Sequence, residues 1–138
     1  MGIERSLVLI KPDAVERNLI GKVLEVYEQE SLTVKDMKMD KISKEFAKKH
    51  YEKHKDTDYF DRLINYITRS KLVAVVLEGE NAISKIRTIN GSINSQNDSI
   101  LTIRRRFALS KTENTVHASD SIDSAKREIS LWFPENYK

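Results

Sequence analysis

The chain has 138 residues, 39% of them hydrophobic and 33% charged, which suits one buried core and excludes an intrinsically disordered chain. It has no cysteine, so disulfides, thiolate metal sites and a cysteine nucleophile are excluded, and its longest apolar run, Leu72 to Leu77, is far too short to span a membrane. A net charge of +3 leans toward anionic small ligands and gives no broad basic face for nucleic acid.

These features lead to the expectation of a single domain over residues 1–138 in a reducing cytoplasm. Leu7-Val8-Leu9-Ile10 is a β-favouring run halted by Lys11-Pro12-Asp13, which places Lys11 at the carboxyl end of a buried strand. Ile20, Val23, Leu24 and Tyr27 recur at helical spacing. Thr33 to Ile42 then alternates, with Val34, Met37 and Met39 expected to supply the apolar contacts of a second strand. Ser43 begins a helix that runs through Phe46, Ala47, His50 and Tyr51, and another starts near Asp58 with Phe60, Leu63, Ile64 and Ile67 on one face. Leu72 to Leu77 reads as a central strand covered on at least one face, and Ala82, Ile83, Ile86 and Ile89 continue as a helix. After the polar stretch from Gly91 to Leu101, Thr115-Val116 is a short fourth strand. Ser121 then caps a last helix with Ile122, Ala125, Ile129 and Trp132 on one stripe. The alternation of strands and helices indicates a layered α/β sandwich without repeats or linkers.

The only glycines are Gly2, Gly21, Gly79 and Gly91, so neither a P-loop nor a G-x-G-x-x-G loop exists to cradle phosphates with backbone. A bound polyphosphate would need side-chain cations. Lys11, Arg87 and the loop triplet Arg104-Arg105-Arg106 are the candidates, although exposed Lys and Arg are the norm and each alone carries little. In the last helix Glu128 falls at the shoulder of the apolar stripe, with Asp123 and Arg127 on the outer side. Such a carboxylate could hold one nitrogen of His117 and leave the other free as a nucleophile; spacing alone leaves a plain helix-surface charge equally open. His50 and His54 have ligand spacing but no H-E-x-x-H context, and the lysines around them favour a solvated helix face.

Taken together, the motifs resemble those of the nucleoside diphosphate kinases, from Glu4-Arg5 to Trp132-Phe133. The segments that carry the resemblance are Leu9-Ile10-Lys11-Pro12-Asp13, His50-Tyr51, Val76 to Ala82, Thr102-Ile103-Arg104 and Asn114 to Ser121, the last similar to N-x-x-H-G-S-D-S. The resemblance implies a ferredoxin-like βαββαβ fold, a four-stranded antiparallel sheet with helices packed on it. It implies transfer of the γ-phosphoryl group of ATP to nucleoside diphosphates by a ping-pong cycle through phosphohistidine on His117. Glu128 and Ser119 would orient the imidazole, with Lys11 and Tyr51 completing the catalytic set. Lys11, Arg87, Arg104 and Asn114 would hold phosphates and sugar, Tyr59 would stack on the base with Leu63 beneath it, and Ile93 stands at a nucleotide-binding position. Mg²⁺ would arrive on the nucleotide phosphates rather than on a protein site, and a homo-oligomer is implied, a hexamer favoured over a tetramer.

Ala14 and Ala118 stand where the family commonly has Gly, and Ile93 and Ser95 where Thr and Pro are common. Leu101 to Arg106 replaces G-T-I-R-G-D and turns a neutralising Asp into a cation. These departures keep open a catalytically silent nucleotide-binding regulator on the same fold, opposed by retention of the whole catalytic set. An RNA-binding module is opposed by the absence of an aromatic RNP1 pattern.

Overall fold

The strand from Ile3 to Ile10 (β1) pairs antiparallel with β3 (Leu72–Glu80) on one side and with β4 (Val116–Ala118) on the other. β2 (Thr33–Asp40) pairs with the outer side of β3, so the sheet order is β2-β3-β1-β4. The computed structural model describes residues 2–91, 101–110 and 113–137; Ile93 and Ser95 lie outside them. The helices are α1 (Pro12–Glu16), α2 (Ile20–Gln29), α3 (Lys44–His50), α4 (Phe60–Ile67), α5 (Ala82–Asn90), α6 (Ile103–Phe107) and α7 (Ile122–Trp132), with one 3-10 turn at Glu52–His54. This is the four-stranded antiparallel ferredoxin-like sandwich that the sequence leads one to expect.

Both faces of the central strands are covered, which is why β1 and β3 read as unbroken apolar runs. Val8, Ile10, Val73, Val75 and Leu77 face Val23 and Tyr27 of α2 and Ile86 of α5. Leu7, Leu9, Ala74 and Val76 face Ala47 of α3, Ile64 and Ile67 of α4, and Ile129 and Trp132 of α7. Successive strand residues point to opposite faces, and each large aliphatic so buried contributes about 1.5–3 kcal/mol. A one-residue slip would exchange the contents of two differently shaped cores, so the register of the site-bearing strands is firmly held.

The edge behaves differently. Met37 and Met39, expected to pack inward, are 53% and 50% exposed. Their partners Val75 and Val73 place them on the face of α2 and α5, but β2 is an edge strand with a register shift between Val34 and Asp36, and helical cover ends before it. Ile122, expected on the inner stripe of α7, is also exposed, because it is the first residue of the helix and precedes the turn that meets the sheet. At Gly79 an added Cβ would lie 2.9 Å from Leu32 Cδ2 and 3.3 Å from the Ser31 carbonyl oxygen, so the missing side chain lets the α2–β2 turn close onto β3.

Candidate active site

Pro12 occupies the first turn of α1 and ends β1, leaving Lys11 between strand and helix. The Lys11 N–H donates to the Thr115 carbonyl at 2.8 Å, and its Nζ donates to Asn114 Oδ1 at 2.8 Å. Thr115 itself has a φ of 76°, and the Val116 N–H closes on the Asn114 carbonyl at 2.8 Å around it. That three-residue turn is strained for a β-branched residue, and it carries the Asn114 side chain to Lys11. The fourth strand therefore begins at Val116, one residue later than expected. Burial first, and then the Arg104 charge, push the Lys11 ammonium down to about 7 against the opposing pull of Asp13. Asp13 is engaged by the Tyr66 hydroxyl and, at 3.1 Å, by Arg17.

His117 lies in the middle of β4 opposite Leu9, on the sheet face that α7 covers. Ser121 caps α7 by accepting the Ser124 N–H at 3.0 Å. The helix phase so set puts Glu128 on the inner side with Ala125, Ile129 and Trp132, where it is 4% exposed. Glu128 Oε1 is 3.1 Å from His117 Nε2 and accepts the Ser119 hydroxyl at 2.7 Å. Ser119 Oγ in turn accepts the Leu7 N–H at 3.1 Å, which ties the pair to the central strand. Burial works to raise the Glu128 carboxyl, but the His117 hydrogen bond and charge, with Ser119 and Arg127, outweigh it and hold it below the usual range. An ionised carboxylate only accepts, so the His117 proton sits on Nε2 and Nδ1 presents its lone pair.

The basic triplet, expected in a loop, lies wholly inside the short helix α6, where Thr102 accepts the Arg105 N–H. Short side-chain caps of this kind convert a polar stretch into a helical turn. Arg104 donates to the carbonyls of Gly91 at 2.8 Å and Val116 at 2.7 Å, the latter next to His117 in sequence. Arg87 reaches the Ala118 carbonyl at 3.5 Å. Tyr51 caps the end of α3 with its hydroxyl buried and without a partner among the described residues, and burial pushes that hydroxyl up, aided by the Glu128 charge. Tyr59 bonds to His54 Nδ1 at 3.2 Å and is joined to Tyr51 through the His54 ring, while half-buried Leu63 packs on the core below. Lys11, Asn114, His117, Ser119, Glu128 and Arg104 thus converge at one end of the sheet, with Tyr59 and Leu63 farther out.

His50 does not lie on a solvated face as its lysine neighbours suggest. It is 4% exposed, accepts the Trp132 indole N–H on Nδ1 at 3.1 Å and meets the His117 ring at 4.6 Å. The available signal was the placement of His50 four residues after Phe46 and three after Ala47, on one helical stripe. His54 belongs to the 3-10 turn and not to α3. Ala14 and Ala118 are accommodated without strain, since neither has the left-handed backbone that would require glycine.

A ferredoxin-like sheet that sets an oriented imidazole near the buried Lys11 and the part-buried Arg104 has the groups that covalent catalysis on a phosphorylated substrate needs. The family model described as nucleoside diphosphate kinase matches residues 4–137. A nucleoside diphosphate kinase of Clostridium perfringens is 66% identical over 135 residues, covering 98% of this chain and 94% of that protein. One from Methanocaldococcus jannaschii is 47% identical over 133 residues, covering 96% and 95%. The crystal structure of the Aquifex aeolicus nucleoside diphosphate kinase superposes with a TM-score of 0.93 at 36% identity, covering 96% of each chain. The chain belongs to the nucleoside diphosphate kinase family.

Proposed function

We propose that this single-domain protein transfers the γ-phosphoryl group of ATP to nucleoside diphosphates through phosphohistidine on His117. The observation that carries the reading is the chain of contacts from the Leu7 N–H through Ser119 and Glu128 to His117 Nε2, which leaves Nδ1 open. His117 Nδ1 attacks the γ-phosphorus, the bond from that phosphorus to the β-phosphate oxygen breaks, and ADP departs. The positive charge that develops on the imidazole is balanced by Glu128. A terminal oxygen of the incoming diphosphate then attacks the same phosphorus, the N–P bond breaks, and a triphosphate leaves. Lys11, Arg104 and Arg87 neutralise charge on the phosphoryl oxygens, Tyr51 donates to them, and Asn114 holds Lys11 and the sugar. Tyr59 stacks on the base over Leu63 and reads no hydrogen-bond edge, which admits purines and pyrimidines alike. Ile93, outside the described residues, belongs to the nucleotide-binding set by its sequence position and has no hydroxyl to offer a phosphate.

His50, His117 and Glu128 form a cluster of possible metal ligands among the described residues. The set does not suit a resident ion: with Nδ1 accepting from Trp132, the neutral His50 ring has its proton on Nε2, and His117 and Glu128 hold each other. Mg²⁺ therefore enters as part of the nucleotide substrate. Self-association belongs to the reading, a hexamer being favoured over a tetramer, and two half-exposed methionines on the edge strand β2 offer it an apolar contact. A cytoplasmic setting is supported by the cysteine-free composition. No helix among the described residues is long and apolar enough to cross a membrane. Initial velocities measured with ATP and a second nucleoside diphosphate test the proposal. Parallel double-reciprocal lines are expected, and intersecting lines would exclude the covalent cycle.

A further inference from the structure

His50 is a titratable group that phosphoryl transfer as described does not use, yet its side chain is almost wholly buried against the nucleophile. Its ring stands at 76° to that of His117 with centroids 4.6 Å apart, and it meets Tyr51 at 4.8 Å and Trp132 at 5.5 Å in the same edge-on manner. An indole N–H can only donate, so the 3.1 Å bond from Trp132 requires a lone pair on His50 Nδ1. The proton of the neutral ring is then on Nε2. That nitrogen is buried and has no hydrogen-bond partner among the described residues, an arrangement native proteins seldom tolerate without a use.

A second proton would have to go to Nδ1, directly against the indole N–H. The surroundings add to this obstacle: burial first, then His117 on β4, Arg127 on α7, Lys11 at the end of β1 and His54 in the 3-10 turn all disfavour a charge on His50. Tyr51 beside it keeps its proton. Glu128, the carboxylate in the cluster, is taken up by His117 and Ser119.

We propose that His50 is a positioning residue for the nucleophile: an uncharged ring, fixed in its Nε2–H form by Trp132, that braces the His117 imidazole. The proposal rests on the phosphohistidine reading above. As His117 Nδ1 bonds to phosphorus, its ring becomes positively charged, with the Nε2 proton shared toward Glu128. A neutral neighbour accepts that charge, whereas an imidazolium 4.6 Å away would oppose it. The same contact keeps the His117 ring from turning its lone pair away from the substrate.

The chain has three histidines, so protein labelled with ¹⁵N at histidine gives few ring signals, and two-bond ¹H–¹⁵N spectra report the tautomer of each. With the signal assigned by His50→Gln, the expected pattern for His50 is a proton on Nε2 and none on Nδ1 from about pH 5.5 to 8. A proton on Nδ1 in that range overturns the proposal. This measurement needs no turnover, so its failure is distinct from failure of the phosphohistidine reading, which would appear as absence of phosphate on His117. Trp132→Phe supplies the kinetic arm, since it keeps an aromatic plate and removes the donor, which lets His50 take up a proton more readily. Phosphohistidine formation is expected to slow about tenfold near pH 6 and to stay within about twofold of wild type near pH 8. An equal slowing at both pH values, or a loss of thermal stability alone, would show a merely structural tryptophan and overturn the lock.

Discussion

Glu128→Gln keeps the volume of the side chain and removes the charge at the oxygen that holds both His117 and Ser119. In the reacting state the His117 ring is positive 3.1 Å from that oxygen. At an effective dielectric of about 20, such a pair interacts by about 5 kcal/mol. The amide dipole retains part of this, so the expected loss is about 2–4 kcal/mol, or phosphohistidine formation slower by roughly 30- to 1000-fold. The amide nitrogen can also turn toward Nε2 and select the tautomer that places the proton on Nδ1. Rapid-quench labelling with excess enzyme over ATP reads the chemical step, and calorimetry with ADP should show affinity within about threefold of wild type. A slowing of less than about fivefold with binding intact would refute the orienting role of Glu128. Stability provides a second reading of the same substitution. The folded pKa of Glu128 is depressed, so its contribution is present above the ordinary carboxylate pKa of about 4.3 and is lost as pH falls through the lowered value. The Tm difference between the two proteins should therefore shrink in acid.

Lys11, with its pKa pushed down to about 7, binds fewer protons in the folded than in the unfolded state between that value and about 10.4, so the nucleotide-free protein should gain stability as pH rises across this window. ADP phosphates restore the charged form, and calorimetry near pH 8 in buffers of different ionisation enthalpy should show proton uptake; a buffer-independent heat would contradict it. Replacing the exposed Arg105 and Arg106 by Gly and Asp should weaken ADP binding several-fold at low salt and hardly at all at high salt, as screening requires. A salt-independent affinity of the wild type would remove their role. Met37→Lys with Met39→Lys should shift the mass measured by light scattering to a smaller species while the fold persists by circular dichroism, and an unchanged mass would take β2 out of the association.

Much of this architecture is legible along the chain because the determinants are local. Ser43 and Ser121 cap the helices they precede, through bonds to Phe46 and Ser124 three residues on. Once Ser121 starts α7, the 3.6-residue period brings Glu128 to the shoulder of the inner stripe, and its bonds to His117 and Ser119 show which way it turns. What stayed hidden depends on partners distant in sequence. His50 is buried because Trp132, 82 residues away, supplies the donor its Nδ1 needs. Tyr66 meets Asp13 across 53 residues. Alternation in β2 correctly placed Met37 and Met39 on one face, but it contains nothing about where helical cover ends. The positive φ of Thr115, which brings Asn114 to Lys11, is unannounced because a β-branched residue is the wrong signal for a left-handed turn.

In the proposed cycle His117 becomes covalently phosphorylated and passes the group on. The most direct measurement is incubation with γ-labelled ATP and Mg²⁺ followed by separation without acid, beside His117→Ala. Acid-labile label is expected on the wild type alone, chased off completely by added GDP. Folded, ATP-binding wild type that takes up no label, or label that persists in His117→Ala, would contradict it.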